Sequence, residues 1–361
     1  MSLTFENITL GQRVLFGYGR AARNLASEAG RLGARRVMVI AAPAESAIAD
    51  RVTADLPVAL RHADVRPHVP VEQAEAARAA ASECDADLVV CVGGGSTTGL
   101  AKAVALTTRL PIVAVPTTYA GSEATNVWGL TEAARKTTGV DDAVLPVAVV
   151  YDSELTLTLP VGLSVASGLN AIAHCVDSMW APRTNPVNQA FAMEGLRAVA
   201  DGLRRIVREP DDIAGRDATL YGCYLSGVAF ASAGSGLHHK ICHVLGGAYD
   251  LPHAQTHATV LPYVLQLNAP GAPDAAHRIA AALGSATPVS GLNALCEELD
   301  APRALADHGM RREDIPEAAD LILPYVPQDN PVPVGAEELT DLLTRAWAGE
   351  PPRDSEAVRD A

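Results

Sequence analysis

Residues 88–102 read Leu-Val-Val-Cys-Val-Gly-Gly-Gly-Ser-Thr-Thr-Gly-Leu-Ala-Lys. The five apolar residues at the start do not alternate with polar ones, so they read as a strand buried on both faces, as in a parallel sheet covered by helices. Gly93, Gly94 and Gly95 end that strand, Ser96, Thr97 and Thr98 follow, and a helical pattern runs on from Gly99. Glycine lets backbone N–H groups come close to an anion, and the N-terminus of a following helix adds positive potential. The turn therefore reads as a pyrophosphate cradle; the plainer alternative is a strand-to-helix turn capped by Ser96.

Working outward, the same alternation recurs. RVLF, RRVMVIA, ADLVVCV, PIVAVP and VAVVYD read as strands, and RAARNLASEAGRLG, EQAEAARAAASE and TGLAKAVAL read as the helices between them. From about Ser153 strand-like runs stop, and long amphipathic patterns such as VASGLNAIAHCVDSMWA, NQAFAMEGLRAVADGLRRI and DATLYGCYLSGVAFASA take over. A chain of 361 residues exceeds what one core usually organises. The expectation is an α/β domain over 1–155, a parallel sheet with flanking helices, and an all-α domain over 156–361. The polar residues 351–361 are expected to be a frayed tail.

A second polar turn, Pro116-Thr117-Thr118-Tyr119-Ala120-Gly121-Ser122-Glu123, ends the next predicted strand. Two adjacent strand ends rich in Gly, Ser and Thr define a crevice at the carboxyl edge of the sheet, where open α/β folds bind ligands. Thr117, Thr118 and Ser122 join Gly93, Gly94, Gly95, Ser96 and Thr97 as the expected cofactor-binding set. An earlier cluster, Gly17-Tyr18-Gly19-Arg20-Ala21-Ala22, fits the dinucleotide fingerprint loosely. The acidic residue that should follow about 20 positions later is missing, because the next strand ends in Ala41-Ala42-Pro43, so a tight turn is the plainer reading.

Charge and cysteine usage exclude several classes. The net charge of −14 comes without any basic block, which argues against nucleic acid and anionic membrane as partners. An anionic ligand would need local cations. Apolar runs fall short of the roughly 20 residues of a membrane span, and the N-terminal MSLTFENITLGQRV lacks the pattern of a secretory signal. The six cysteines, at 84, 91, 175, 223, 242 and 296, form no C-x-x-C pair and read as reduced thiols. A cytoplasmic protein is expected.

The helical half carries one dense polar feature, G-L-H-H-K-I-C-H at 236–243, with His253 ten residues on. On a helix His239 and His243 share a face, as do Asn170 and His174 in G-L-N-A-I-A-H. Such pairs, with a distant third histidine, suit zinc or iron; hydrogen-bonded core histidines are the plainer reading.

These motifs resemble the iron-containing alcohol dehydrogenase superfamily, with its dehydroquinate synthase-like fold, and within it the maleylacetate reductase branch. The resemblance rests on GGGSTTGLAK at 93–102, PTTYAGSE at 116–123, RKTTG at 135–139, GLNAIAH at 168–174, and GLHHKICHVLGG with LPHA at 236–254. It implies an active site in the cleft between the two domains, NADH or NADPH as cofactor, and a homodimer. In metal-dependent relatives an aspartate and three histidines hold the ion, at positions matching Asn170, His174, His239 and His253 here. His243 matches a further active-site histidine that is not a ligand.

Asparagine at 170 removes a charged ligand, so an enzyme without a metal is expected, although three histidines alone could retain zinc or iron. The branch's reaction tolerates that loss. Hydride addition to the carbon–carbon double bond of maleylacetate, giving 3-oxoadipate, leaves a delocalised enolate rather than an alkoxide, and hydrogen-bond donors then suffice. The residues expected to act are His243, His253, His239, His174 and Lys240, with Asn170, His238, Tyr119 and Lys136 holding the small anionic substrate. Tyr119 as a core aromatic and Lys240 as a surface lysine stay open as alternatives, as do a metal-dependent alcohol dehydrogenase and a relative recruited to a biosynthetic route with another unsaturated keto acid.

Overall fold

The computed structural model describes residues 4–8, 10–133 and 135–353. The tail expected over 351–361 lies, from 354 on, outside them. Six strands, β1 (Arg13–Phe16), β2 (Val37–Ile40), β3 (Val58–His62), β4 (Leu88–Gly93), β5 (Ile112–Pro116) and, after a separate hairpin, β8 (Ala148–Tyr151), make one sheet in the order β1-β8-β5-β4-β2-β3. Every pairing is parallel. The central strands β2, β4, β5 and β8 are buried along their whole length. Helices α1 (Ala21–Leu32), α2 (Ser46–Val52), α3 (Val71–Glu83) and α4 (Gly95–Thr108) form the crossovers, and their small apolar faces pack on the two sides of the sheet.

Three elements were not foreseen. β3 and α2 are short and half-polar, so neither leaves a clear apolar period. The third is an antiparallel hairpin, β6 (Val127–Glu132) with β7 (Arg135–Val140), inserted between β5 and β8. The fingerprint-like Gly17–Ala22 stretch proves to be a tight turn: Asp152 already accepts the Gly19 and Ala21 N–H groups at 2.8 Å each, leaving those donors unavailable to a phosphate.

The remaining helices are α5 (Val161–Ser178), α6 (Pro186–Arg208), α7 (Ile213–Ala233), α8 (Leu237–Tyr249), α9 (His253–Asn268), α10 (Pro273–Leu283), α11 (Pro288–Glu298), α12 (Ile315–Ile322) and α13 (Ala336–Ala348). The stretch Pro273–Glu298, 26 residues with a mean hydropathy of 1.3 in its best window, has the length of a membrane span. Gly284, at φ 68°, divides it into two 11-residue helices whose apolar faces join the helical core. α5 is the central helix, buried from Ser164 to Ser178, and the loop after β5 packs directly on it: Ser167 Oγ accepts the Tyr119 N–H at 3.0 Å.

Candidate active site

The glycine turn after β4 has the shape expected of an anion cradle. α4 begins at Gly95, four residues earlier than its apolar pattern suggests, with Gly94 at the N-cap and no side chain capping it. Ser96 therefore is not the cap, and the first N–H groups of α4 carry no capping partner. Glycine is required by crowding: a Cβ on Gly93 (φ 153°) would lie 2.5 Å from Thr97 Oγ1, and one on Gly94 would lie 2.9 Å from Thr118 Cγ2. Thr97 and Thr117 are buried in support of the turn, whereas Ser96, Thr118 and Ser122 are half-buried around it.

One loop joins this cradle to the histidines. From Thr118 beside Gly94 the chain runs through Ala120, whose carbonyl accepts from Asn170 Nδ2 at 3.4 Å, to Gly121, where an added Cβ would stand 3.3 Å from His174 Nδ1. Lys102 fixes the far side of the loop. Fully buried, its ammonium donates to the carbonyls of Ser122, Thr125 and Val127 and to Thr125 Oγ1, all within 2.6–2.9 Å.

Six histidines meet across α5, α8 and α9, and His239 is their centre. Its ring stacks on His174 at 4.8 Å and 13°, and lies 5.2 Å from His238, 4.9 Å from His257 and 6.0 Å from His243. His253, the first residue of α9, is the exposed member and sits 4.3 Å from His257. Burial pushes His174, His238, His243 and His257 well below the ordinary imidazole range, and burial with Lys240 and Lys136 nearby pushes His239 down to about 3. The buried cluster is neutral, and each such ring has one N–H to give.

Lys136 reaches the cluster from β7 of the hairpin, which packs on α8. It is half-buried, pushed down to about 8 by desolvation, and its charge acts on His68, His239, His243 and His253. Lys240 is also half-buried, with its charge acting on His239 and His243. Tyr119 is not in the cleft. It is fully buried, its hydroxyl donating to Thr156 at 3.2 Å and accepting from Arg216 at 3.3 Å, so the core-aromatic reading holds and its place among the substrate-binding residues is corrected. His238 is likewise withdrawn into the core, its Nε2 paired at 2.9 Å with His257 Nδ1 and its ring fully buried, so its place among the substrate-binding residues is corrected too.

Three contributors went unread in the sequence. Asp177, the one carboxylate on α5, contacts His239 Nδ1 at 2.6 Å. His257 is one turn beyond His253, a spacing that was legible. His68 comes from the loop after β3, 3.7 Å from Asp250, and it and Val69 both hold left-handed backbone (φ 61° and 50°). Neighbouring left-handed residues without glycine are strained and persist only where surrounding contacts fix them; Thr131 supplies two, its Oγ1 and N–H donating to the carbonyls of His68 and Val69.

The family model for iron-containing alcohol dehydrogenases matches residues 11–153, and that for the C-terminal part of the same family matches residues 164–347. The chain belongs to the iron-containing alcohol dehydrogenase family. Among curated relatives, the maleylacetate reductase of Sphingobium indicum is 46% identical over 95% of this chain and 97% of its own length, and that of Burkholderia cepacia is 45% identical over 94% and 97%. Among solved structures, an iron-containing alcohol dehydrogenase from Corynebacterium glutamicum is 58% identical with a TM-score of 0.94, covering 97% of this chain and 98% of its own. The maleylacetate reductase of Agrobacterium tumefaciens is 39% identical with a TM-score of 0.91, covering 97% and 100%. The chain is an oxidoreductase of this family.

The family's metal can be tested against the residues present. Asn170 Oδ1, His174 Nδ1 and His239 Nε2 are buried without partners, as ligand atoms awaiting an ion would be. Asn170 carries no charge, however, and the ring nitrogens of His174, His239 and His253 do not converge. Among the described residues, the one set of His, Cys or carboxylate ligand atoms that all lie within 4.8 Å of one another is His238, Cys242 and His257. There the 2.9 Å imidazole pair already occupies two of the three atoms. In this arrangement His174, His239 and His253 do not form a closed ligand set.

Proposed function

We infer that the chain reduces the conjugated double bond of maleylacetate to give 3-oxoadipate, with NADH or NADPH and without a metal. The observation that carries this reading is Asn170: a neutral side chain stands at the charged ligand position, inside an otherwise intact histidine cluster served by Lys136 and Lys240. The names of the curated relatives support the same substrate.

The dinucleotide's pyrophosphate belongs on the open N–H groups at the start of α4, beside Thr118 and Ser122, and its nicotinamide supplies hydride when bound. The substrate's carboxylates belong beside Lys136 and Lys240, the cations that reach the cluster. Imidazole N–H groups at His243 and His253 offer hydrogen bonds to the enolate oxygen, and each well-placed donor is worth about 3 kcal/mol in the transition state. One proton must then reach the enolate carbon, which balances the addition of hydride. Just past β2 Ala42 leaves the adenosine ribose without a facing carboxylate; the next acidic residue along the chain, Glu45, lies half-buried in the turn beyond. Both cofactors should be used, working in a soluble homodimer of aromatic-compound degradation.

The test is cofactor oxidation with maleylacetate before and after exhaustive chelation. Turnover that survives supports the reading. Loss restored by zinc or iron would establish a metal-dependent alcohol dehydrogenase type of site, which the 58% identity to a protein of that description favours. A preference for NADH over NADPH above about a thousandfold would defeat the cofactor assignment.

A further inference from the structure

Asp177 belongs to neither the cofactor cradle nor the substrate's cations, yet it is the most heavily engaged carboxylate near the cluster. It is fully buried on α5, one helical turn after His174. Its Oδ2 accepts the N–H of Gly236 at 3.1 Å and that of His239 at 3.2 Å, and lies 2.6 Å from His239 Nδ1. Gly236 permits the approach, since a Cβ there would stand 2.6 Å from Asp177 Oδ1.

These contacts decide which nitrogen of His239 carries the proton. Two backbone N–H groups already point at Oδ2, so this oxygen acts as an acceptor, and the third contact at the same atom must come from Nδ1–H. Nε2 then bears the lone pair, buried and without a partner beside His174. A carboxylate that holds one imidazole nitrogen fixes both the tautomer and the ring plane, as in the triads of hydrolases.

We propose that Asp177 is a positioning residue for reduction, holding His239 as the Nδ1–H tautomer with the Nε2 lone pair kept inside the cluster beside His174. His239 in this form gives no hydrogen bond to the enolate; that role falls to His243 and His253. The ring plane fixed in this way is the surface against which His174, His243 and His257 pack, and through it Asp177 holds the cluster's donors in place. The kinetic part of the proposal rests on the reductase reading, whereas the tautomer does not.

The experiment uses the full chain labelled with 15N-histidine. The expected wild-type spectrum contains an Nδ1–H, bare-Nε2 imidazole that disappears in His239→Gln. An Nε2–H tautomer at His239 in the wild type would overturn the proposal, with no reference to activity. Asp177→Asn keeps an acceptor oxygen for the start of α8 but binds Nδ1–H more weakly, and a flipped amide enforces the opposite tautomer. It should shift the His239 signals and lower kcat at least about tenfold, with KM for maleylacetate within about threefold. A folded Asp177→Asn protein with wild-type kcat would reduce Asp177 to a helix cap and refute the positioning role. Should that variant not fold, the wild-type tautomer and Asp177→Glu, expected to restore the Nδ1–H signal and part of kcat, still decide. A wild type inactive on maleylacetate but showing the expected tautomer would sink the substrate assignment alone.

Discussion

Replacing Lys136 with methionine separates substrate binding from chemistry. Methionine retains the apolar stem that packs over Gly129, where the lysine Cε lies 3.1 Å from the position a Cβ would take, and removes only the charge. Desolvation lowers this ammonium from its ordinary 10.5 to about 8, equivalent to about 3 kcal/mol of lost solvation while the cleft holds no anion. A substrate carboxylate restores a partner, and a charge-assisted hydrogen bond is worth about 1.5–3 kcal/mol. KM for maleylacetate should therefore rise about ten- to a hundredfold in Lys136→Met. The carboxylate keeps its charge through the reaction, so the interaction is made equally in ground and transition states and kcat should stay within about threefold. pH gives the independent check. Lys136 is protonated below about 8, so wild-type kcat/KM should be flat there and fall as pH rises through that value, whereas the variant should lack this alkaline limb. A variant that loses kcat at constant KM, or that keeps the limb near 8, would refute the argument.

Three further outcomes follow from particular contacts. Asn170→Asp puts an anion beside a dianionic substrate, and at about 6 Å and an effective dielectric near 20 the repulsion is about 2–3 kcal/mol. Its KM for maleylacetate should rise at least about tenfold at unchanged dinucleotide affinity; an unchanged KM would place the substrate elsewhere. Gly94→Ala drives a Cβ to 2.9 Å from Thr118 Cγ2. Such overpacking costs about 1–3 kcal/mol, so dinucleotide Kd, read by quenching of protein fluorescence, should weaken about tenfold or more, and unaltered binding would remove the cradle from that turn. Lys102→Met strips donors from three carbonyls, that of Thr125 buried and those of Ser122 and Val127 partly so, and should cost about 3 kcal/mol of stability, visible as a lower denaturation midpoint at constant m-value. A midpoint within error of the wild type would mean the 122–127 loop does not depend on it.

The sheet was legible wherever burial on both faces removed the polar alternation, as at Leu88–Gly93 and Ile112–Pro116, and wherever a crossover helix was long enough to repeat its apolar face, as at Ala21–Leu32. The β6–β7 hairpin escaped because its residues are mostly half-buried or exposed, so no alternating face is preserved, yet it delivers Lys136. Tyr119 shows the converse: its motif placed it at the crevice, but the loop turns its ring inward, where Arg216 and Thr156 satisfy the hydroxyl.

By itself the sequence determined the fold class, the glycine turn and the residue types of the cluster, since each rests on local spacing: a strand running into glycines and a helical face bearing histidines; that Asn170 stands where metal-dependent relatives carry a charged ligand is what the family resemblance implies. Only the tertiary structure decided how those groups point. That Asp177 on α5 grips His239 on α8, 62 positions away, and that His68 reaches from the loop after β3 to the α8–α9 corner, follow from packing between distant segments. No local periodicity encodes such contacts, because they exist only once separate elements are buried against one another.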